Sequence, residues 1–158
     1  MEPEALTHLA RLIRTHRVAA LGTLRGGAPS LAMVLYAVTP DLSAFYLHLS
    51  RLAHHTQNLK HDHRVALMIA EPDCGTVDPQ NLRRVTIQST AFMLEHESSG
   101  YEDAEQLYRT RFPESVMSFS LGDFNLYRIE PVSARYIGGF GQIFNLTAAD
   151  FHTAGQAS

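Results

Sequence analysis

The sequence contains one cysteine, Cys74, and one lysine, Lys60. A lone thiol excludes an internal disulfide and suits a reducing compartment. There is no apolar run of the ~18 residues that a membrane helix needs. The acidic start Met1-Glu-Pro-Glu has no apolar stretch behind it. The sequence therefore predicts neither a secretory leader nor a membrane span, and we expect a soluble, cytoplasmic protein. A net charge of -3 gives no bulk attraction to nucleic acid or to an anionic membrane. P-loop, nucleophile elbow and persuasive carboxylate pair are all missing. Gly138-Gly-Phe-Gly141 lacks both the spacing and the strand-to-helix setting of a dinucleotide fingerprint, and reads as a place where backbone packs closely.

What is present suits an ordinary globular domain. The chain has 158 residues, of which 45% are hydrophobic and 18% charged, enough apolar material for a core. Nearly all of its cations are arginines, whose planar forks match phosphate and carboxylate. Residues 1–152 are expected to form one domain, and residues 153–158 a small, polar, flexible tail.

Leu6, Leu9, Leu12 and Ile13 recur at helical spacing, and Pro3 suits a first turn, so residues 3–15 are expected to be helical. Two apolar runs, 18–24 and 30–38, flank a turn containing Gly26 and Gly27 and read as a hairpin. The second run is apolar on both faces and should be buried on both. Residues 44–49 make a third strand whose Tyr46 and His48, followed by Ser50, share one face. A short helix over 51–61, capped by Ser50, precedes a fourth strand at 64–69. A polar loop over 71–81 leads to a long fifth strand at 82–95. An amphipathic helix over 101–112 and a last strand over 124–137, bent near Pro131, complete the pass. The fold class is mainly β: six antiparallel strands in a barrel, with two or three helices between them.

A phosphate wants helix-start N–H groups, hydroxyls and a cation. Ser50, Arg51, His54, His55 and Thr56 supply these within two turns, although a capped surface helix explains the same residues. Arg84, Thr86 and Gln88 share a face of the fifth strand and could hydrogen-bond a cofactor ring. His54, His55, His61 and His63 have no cysteine nearby and sit where exposed polar residues are expected, so we assign no metal site.

The order of the stretch from Ala44 to Val65 resembles the strand–helix–strand signature of FMN-binding split β-barrels in the pyridoxamine 5′-phosphate oxidase-like superfamily. It carries a strand ending in Ser50, a helix with Asn58-Leu59, and Asp62-His-Arg-Val65 opening the next strand. The ending, Gly122-Asp-Phe-Asn-Leu-Tyr-Arg-Ile-Glu-Pro131 with Ala134-Arg-Tyr-Ile-Gly-Gly-Phe-Gly141, resembles the haem-utilisation branch. The resemblance spans roughly residues 10–145. It implies a homodimer with FMN at the interface. Ser50, His54, His55 and Thr56 would hold the phosphate, and Met33, Val34 and Leu35 would line the flavin. Arg84, Gln88 and His48 would lie near it. Where true pyridoxamine phosphate oxidases carry an Arg and a Lys on the second strand, this chain has Ala32 and Ala37, so we do not expect that reaction. The larger haem-utilisation proteins continue into a further C-terminal domain, so a haem site built there would be incomplete here.

Three functions follow from the resemblance. The first is an FMN-dependent oxidoreductase acting on a small or planar molecule. The second is a haem-binding or haem-degrading protein, with His16 or His152 as axial candidate. The third is a non-catalytic flavin-binding module. No catalytic residue is assigned, because the flavin itself carries the hydride chemistry.

Overall fold

The computed structural model describes residues 1–157. Helix α1 spans Pro3–Thr15, with proline in its first turn, where the missing N–H costs nothing. Its apolar stripe places Leu9, Leu12 and Ile13 against the sheet, and the Tyr36 hydroxyl donates to the Ile13 carbonyl at 2.6 Å. Strands β1 (Val18–Arg25) and β2 (Ala28–Leu35) form the expected hairpin. Gly26 and Gly27 both have positive φ, 58° and 83°, as the tight two-residue turn between twisted strands requires.

The remaining strands are β3 (Ala37–Val38), β4 (Phe45–Ser50), β5 (Arg64–Ala70), β6 (Arg84–Met93), β7 (Phe124–Ile129), β8 (Ser133–Gly139) and β9 (Gln142–Thr147). Helix α2 is His54–His61, α3 Tyr101–Arg111, α4 Val116–Ser120 and α5 Ala148–Gln156. All strand pairs are antiparallel, in the order β2-β1-β5-β6-β7-β4-β3, with β8 beside β6 and β9 beside β8. The fold is a mainly β, antiparallel, curled sheet with helices, consistent with a split barrel.

The split lies on β6. One edge of β6 pairs with β5 along its length. The other edge pairs with β8 over residues 84–88 and with β7 over 91–93. Between them the chain leaves β7 at Glu130 and Pro131, and Val132 rejoins the sheet by donating to the Gln88 carbonyl. A proline has no N–H for the ladder, so the change of neighbour falls at Pro131. Residues 124–137 thus form two strands rather than one bent strand, and β9 adds a further strand that the sequence reading did not include.

Inside the curl lie Leu21, Val34, Phe45, Leu47, Leu67, Ile69, Val85, Ile87, Ile129 and Tyr136, closed by Leu9 and Ile13 of α1 and Phe151 of α5. A second cluster packs Tyr101, Ala104, Tyr108 and Phe112 against Tyr46 and Leu126. Arg111 ties the two together, donating to the carbonyls of Tyr36 at 3.2 Å, Arg14 at 3.0 Å and His16. The C-terminal segment is anchored rather than loose through Gln156. Thr147 and Asp150 form a capping box, Phe151 and Ala154 are buried, and Arg14 donates to the Gly155 carbonyl at 2.6 Å. A Cβ at Gly155 would fall 2.4 Å from the Asp41 backbone, so only glycine fits where α5 seats on the 39–43 turn.

Candidate functional site

Inward and outward positions alternate along each strand, so the side chains facing away from the core form a second surface. Directly paired residues of antiparallel strands share a face. Met33 pairs with Ala20, Ala20 with Met68, Met68 with Thr86, Thr86 with Arg135 and Arg135 with Asn145. That is one row across six strands. A neighbouring row runs from Leu31 through Gly22, Ala66, Gln88 and Ser133 to Thr147. On the other side of the first row, Leu35 pairs with Val18, and Ala70 with Arg84, Ile137 and Ile143 in turn.

This outer face has two halves. Over β2, β1 and β5 it is apolar and bare: Leu31 is 78% exposed, Met33 73%, Val18 45% and Met68 41%. Over β6, β8 and β9 it is polar, with Arg84, Thr86, Gln88, Arg135 and Asn145. Three concavities cover the face. One of about 370 Å³ is lined by Val18, Leu31, Met33 and Met68. A second of about 520 Å³ shares Met68 and adds Arg84, Gln88, Arg135 and Asn145. A third of about 390 Å³ shares Gln88 and adds Gly22, Pro29 and Arg64.

The two arginines are held but not neutralised. Arg84 donates to the carbonyls of Leu82 at 2.8 Å and Gln80 at 3.3 Å, and Arg135 donates to Asn145 Oδ1 at 3.3 Å. Neither has a carboxylate partner among the described residues. Their remaining N–H groups point to an anion as the natural complement.

The structure divides the other expected site residues among different places. Met33 and Leu35 lie on the outer face, but Val34 between them is 5% exposed and packs in the core. Strand alternation allows no other outcome, so the Val34 side chain cannot line a ligand on that face. Arg84 and Gln88 share the outer face with Met33. His48 lies elsewhere, in the second cluster under α3 and α4. It stacks on Phe119 at 3.7 Å between centroids, meets Tyr108 edge-on, and its Nδ1 is 3.2 Å from the Ser118 hydroxyl. Burial pushes its imidazole down to about 4, so it is neutral at pH 7.

The segment expected to cradle a phosphate is also differently built. Helix α2 begins at His54 with Ala53, not Ser50, at its cap. The Ser50 hydroxyl donates to Asp123 Oδ2 at 3.2 Å and accepts from the Leu52 N–H. That carboxylate repels a phosphate. Thr56 is fully buried and its hydroxyl has no partner. His55 is half-buried, and burial together with His54 lowers its basicity. His54 is exposed. The helix is fixed instead by Asn58, whose side-chain amide donates to the Thr23 hydroxyl at 2.9 Å in the core.

Met68, Arg135 and Asn145 belong to the outer face and were not among the expected site residues. Arg135 was legible as an odd-position residue of a strand with buried Ala134 and Tyr136. Asn145 was not, because β9 was not recognised. Of the haem-ligand candidates, His16 lies on the α1 side of the sheet, and His152 on α5 sits 3.7 Å from Asp41. No helix is long and apolar enough to cross a membrane.

The chain is similar to heme oxygenase HutZ of Vibrio cholerae, 27% identical over 125 residues, which is 78% of this chain and 70% of that protein. It is 30% identical over 120 residues to the chloroplastic heme oxygenase HOZ of Arabidopsis thaliana, covering 75% of this chain and 34% of that one. Its fold matches that of a heme binding protein from Mycobacterium smegmatis, with a TM-score of 0.85 and 24% identity. The match takes in 97% of this chain but only 62% of the mycobacterial one. Residues 6–138 match the pyridoxamine 5′-phosphate oxidase family, and the chain belongs to that family.

Proposed function

We propose that this protein is a homodimer that binds haem between its subunits on the outer sheet face and acts in haem handling, with haem degradation as its reaction. The observation that carries this reading is the one face that is apolar over β2, β1 and β5 and bears two unneutralised arginines over β6 and β8. Haem has the same two-part chemistry, a flat apolar macrocycle with two carboxylates. Val18, Met33 and Met68 would take the macrocycle, and Arg84 and Arg135 the carboxylates. The similarity to two heme oxygenases supports the choice of ligand. When bound, haem supplies the oxygen chemistry through its iron. The chain's part is to bury the ring, exclude water from one side and fix its orientation through the arginines. The bare apolar strands support the dimer, because Leu31, Met33 and Val18 would otherwise face water.

The same face also suits FMN. The outward positions of β1, β2, β5, β6, β8 and β9 carry no imidazole, phenol or thiol. Met33 and Met68 are their only soft donors toward iron. FMN needs no axial ligand, and its phosphate would suit Arg84 and Arg135. The resemblance to FMN split barrels supports a flavin oxidoreductase, or a flavin-binding module without catalysis, at the same place.

Absorbance titration of the purified protein with haemin and, separately, with FMN tests the two. A saturable Soret band that weakens in Arg84→Ala–Arg135→Ala supports haem handling, with turnover then followed with a reductant. A perturbed flavin spectrum without haem uptake replaces it with the flavin reading. Uptake of neither ligand refutes both.

A further inference from the structure

A separate concavity of about 440 Å³ lies away from the outer face, between α1 and the segment joining β5 to β6. Its lining includes His8, Arg11 and His16 at α1, and Glu71, Cys74 and Arg83 across from them. Arg83 and Arg84 are consecutive. Arg84 opens β6 on the outer face, whereas Arg83, just before the strand and held by Glu71, lines this second cavity.

The cavity holds more positive than negative hydrogen-bonding capacity. Glu71 is its only carboxylate, and it is already occupied: Glu71 accepts from the Arg83 backbone N–H at 2.9 Å and from the guanidinium at 3.2 Å. Arg83 Nε is buried with no partner. Arg11 is exposed and has no carboxylate partner among the described residues. His16 donates from Nδ1 to the Leu12 carbonyl at 2.8 Å, which fixes the ring and leaves Nε2 free to accept from another partner. No group of three or more metal-ligating side chains forms among the described residues, so the imidazoles and the thiol are not gathered for a cation.

We propose that this cavity is a second ligand site, taking a small molecule that carries a carboxylate or phosphate group, its anionic oxygens bound by Arg11 with His8 and a ligand hydroxyl donating to Nε2 of His16. Its volume falls within the ~300–1,000 Å³ typical of small-molecule sites. The inference is independent of what the outer face binds. A ligand here would touch the Glu71–Arg83 pair, one residue from the outer-face Arg84.

Thermal unfolding of the full chain with inorganic phosphate and with citrate is the test. A ligand that binds only the folded state raises Tm saturably with its concentration. We expect a saturable rise with phosphate, citrate or both in the wild type and in Arg84→Ala, and its loss in His8→Ala–Arg11→Ala. Response to phosphate alone assigns a phosphate ligand, and response to citrate alone a carboxylate. The double substitution is at the helix surface. If it nevertheless lowers the Tm without added anion, Arg11→Gln alone replaces it, with the same loss expected. An unsaturating rise shared by the variant is a general salt effect. That result overturns the proposal, as does the absence of any rise.

Discussion

The start of α2 and the outer sheet face are both rich in groups suited to an anionic cofactor, yet they are opposite in state. At the α2 start most of the groups are bonded or buried within the chain, with Arg51 and His54 left exposed. Ser50 is bonded to Asp123, Thr56 is sealed in, and Asn58 holds Thr23. On the outer face Arg84 and Arg135 lean on carbonyl and amide oxygens and retain unneutralised charge, beside apolar side chains left bare. A local cluster of polar residues is thus a weaker guide to a site when several of its groups are bonded within the chain or buried. A row assembled from six strands is a better one when its charges are left unneutralised.

The sharpest test of this contrast uses neighbouring residues. Leu67 faces the core and Met68 the outer face. Leu67→Ala should cost about 2–5 kcal/mol in denaturant unfolding, as core truncations do. Met68→Ala should cost the folded monomer under about 1 kcal/mol and act instead on ligand uptake. Equal losses would mean that the outer face is structural.

Next in size, Asn58→Ala should destabilise by about 1–3 kcal/mol, because it strands the buried Thr23 hydroxyl. Ser50→Ala should cost about 1 kcal/mol and leave ligand affinity unchanged. Arg84→Ala or Arg135→Ala should do the reverse, lowering affinity for an anionic ligand by about tenfold with little change in stability. Loss of ligand in Ser50→Ala would restore the helix start as the site.

A further effect is one of pH. His48 is held neutral by burial, with its pKa lowered to about 4 from an ordinary value near 6.5. Between those values the unfolded chain binds a proton that the folded chain refuses. The stabilisation is complete above about pH 6.5 and is lost as pH falls through about 4. His48→Gln should flatten the stability profile between pH 7 and 5, measured by denaturant unfolding, without altering ligand affinity.

The periodic elements were legible in the sequence: α1 and α3, the β1–β2 hairpin, and strands β4 to β6. Local pattern suffices for these, because apolar spacing and the Gly26-Gly27 turn act within a few residues. The break at Pro131 was read as a bend, since a proline reports the end of a ladder but not the new neighbour. Strand β9 is the hairpin partner of β8 across the turn at 139–142, but the short run 142–147 alternates too weakly to announce a strand, and helix α5 was missed because its seat, Gly155 on Asp41, lies far away in sequence. For the site, Met33, Leu35, Arg84 and Gln88 could be placed on one face by alternation and family resemblance together. The row reaching Arg135 and Asn145 could not, because register between strands is a tertiary property. The enclosure of His48 by Phe119 and Tyr108 was equally out of reach, as α4 gives no sequence signal at five residues.

The central claim is that the outer face is where two copies meet. Analytical ultracentrifugation of the wild type beside Met33→Glu tests it most directly. We predict a dimer for the wild type and a folded monomer for the variant, since a carboxylate there would be buried between two apolar surfaces. A monomeric wild type, or a variant that remains dimeric, would contradict it.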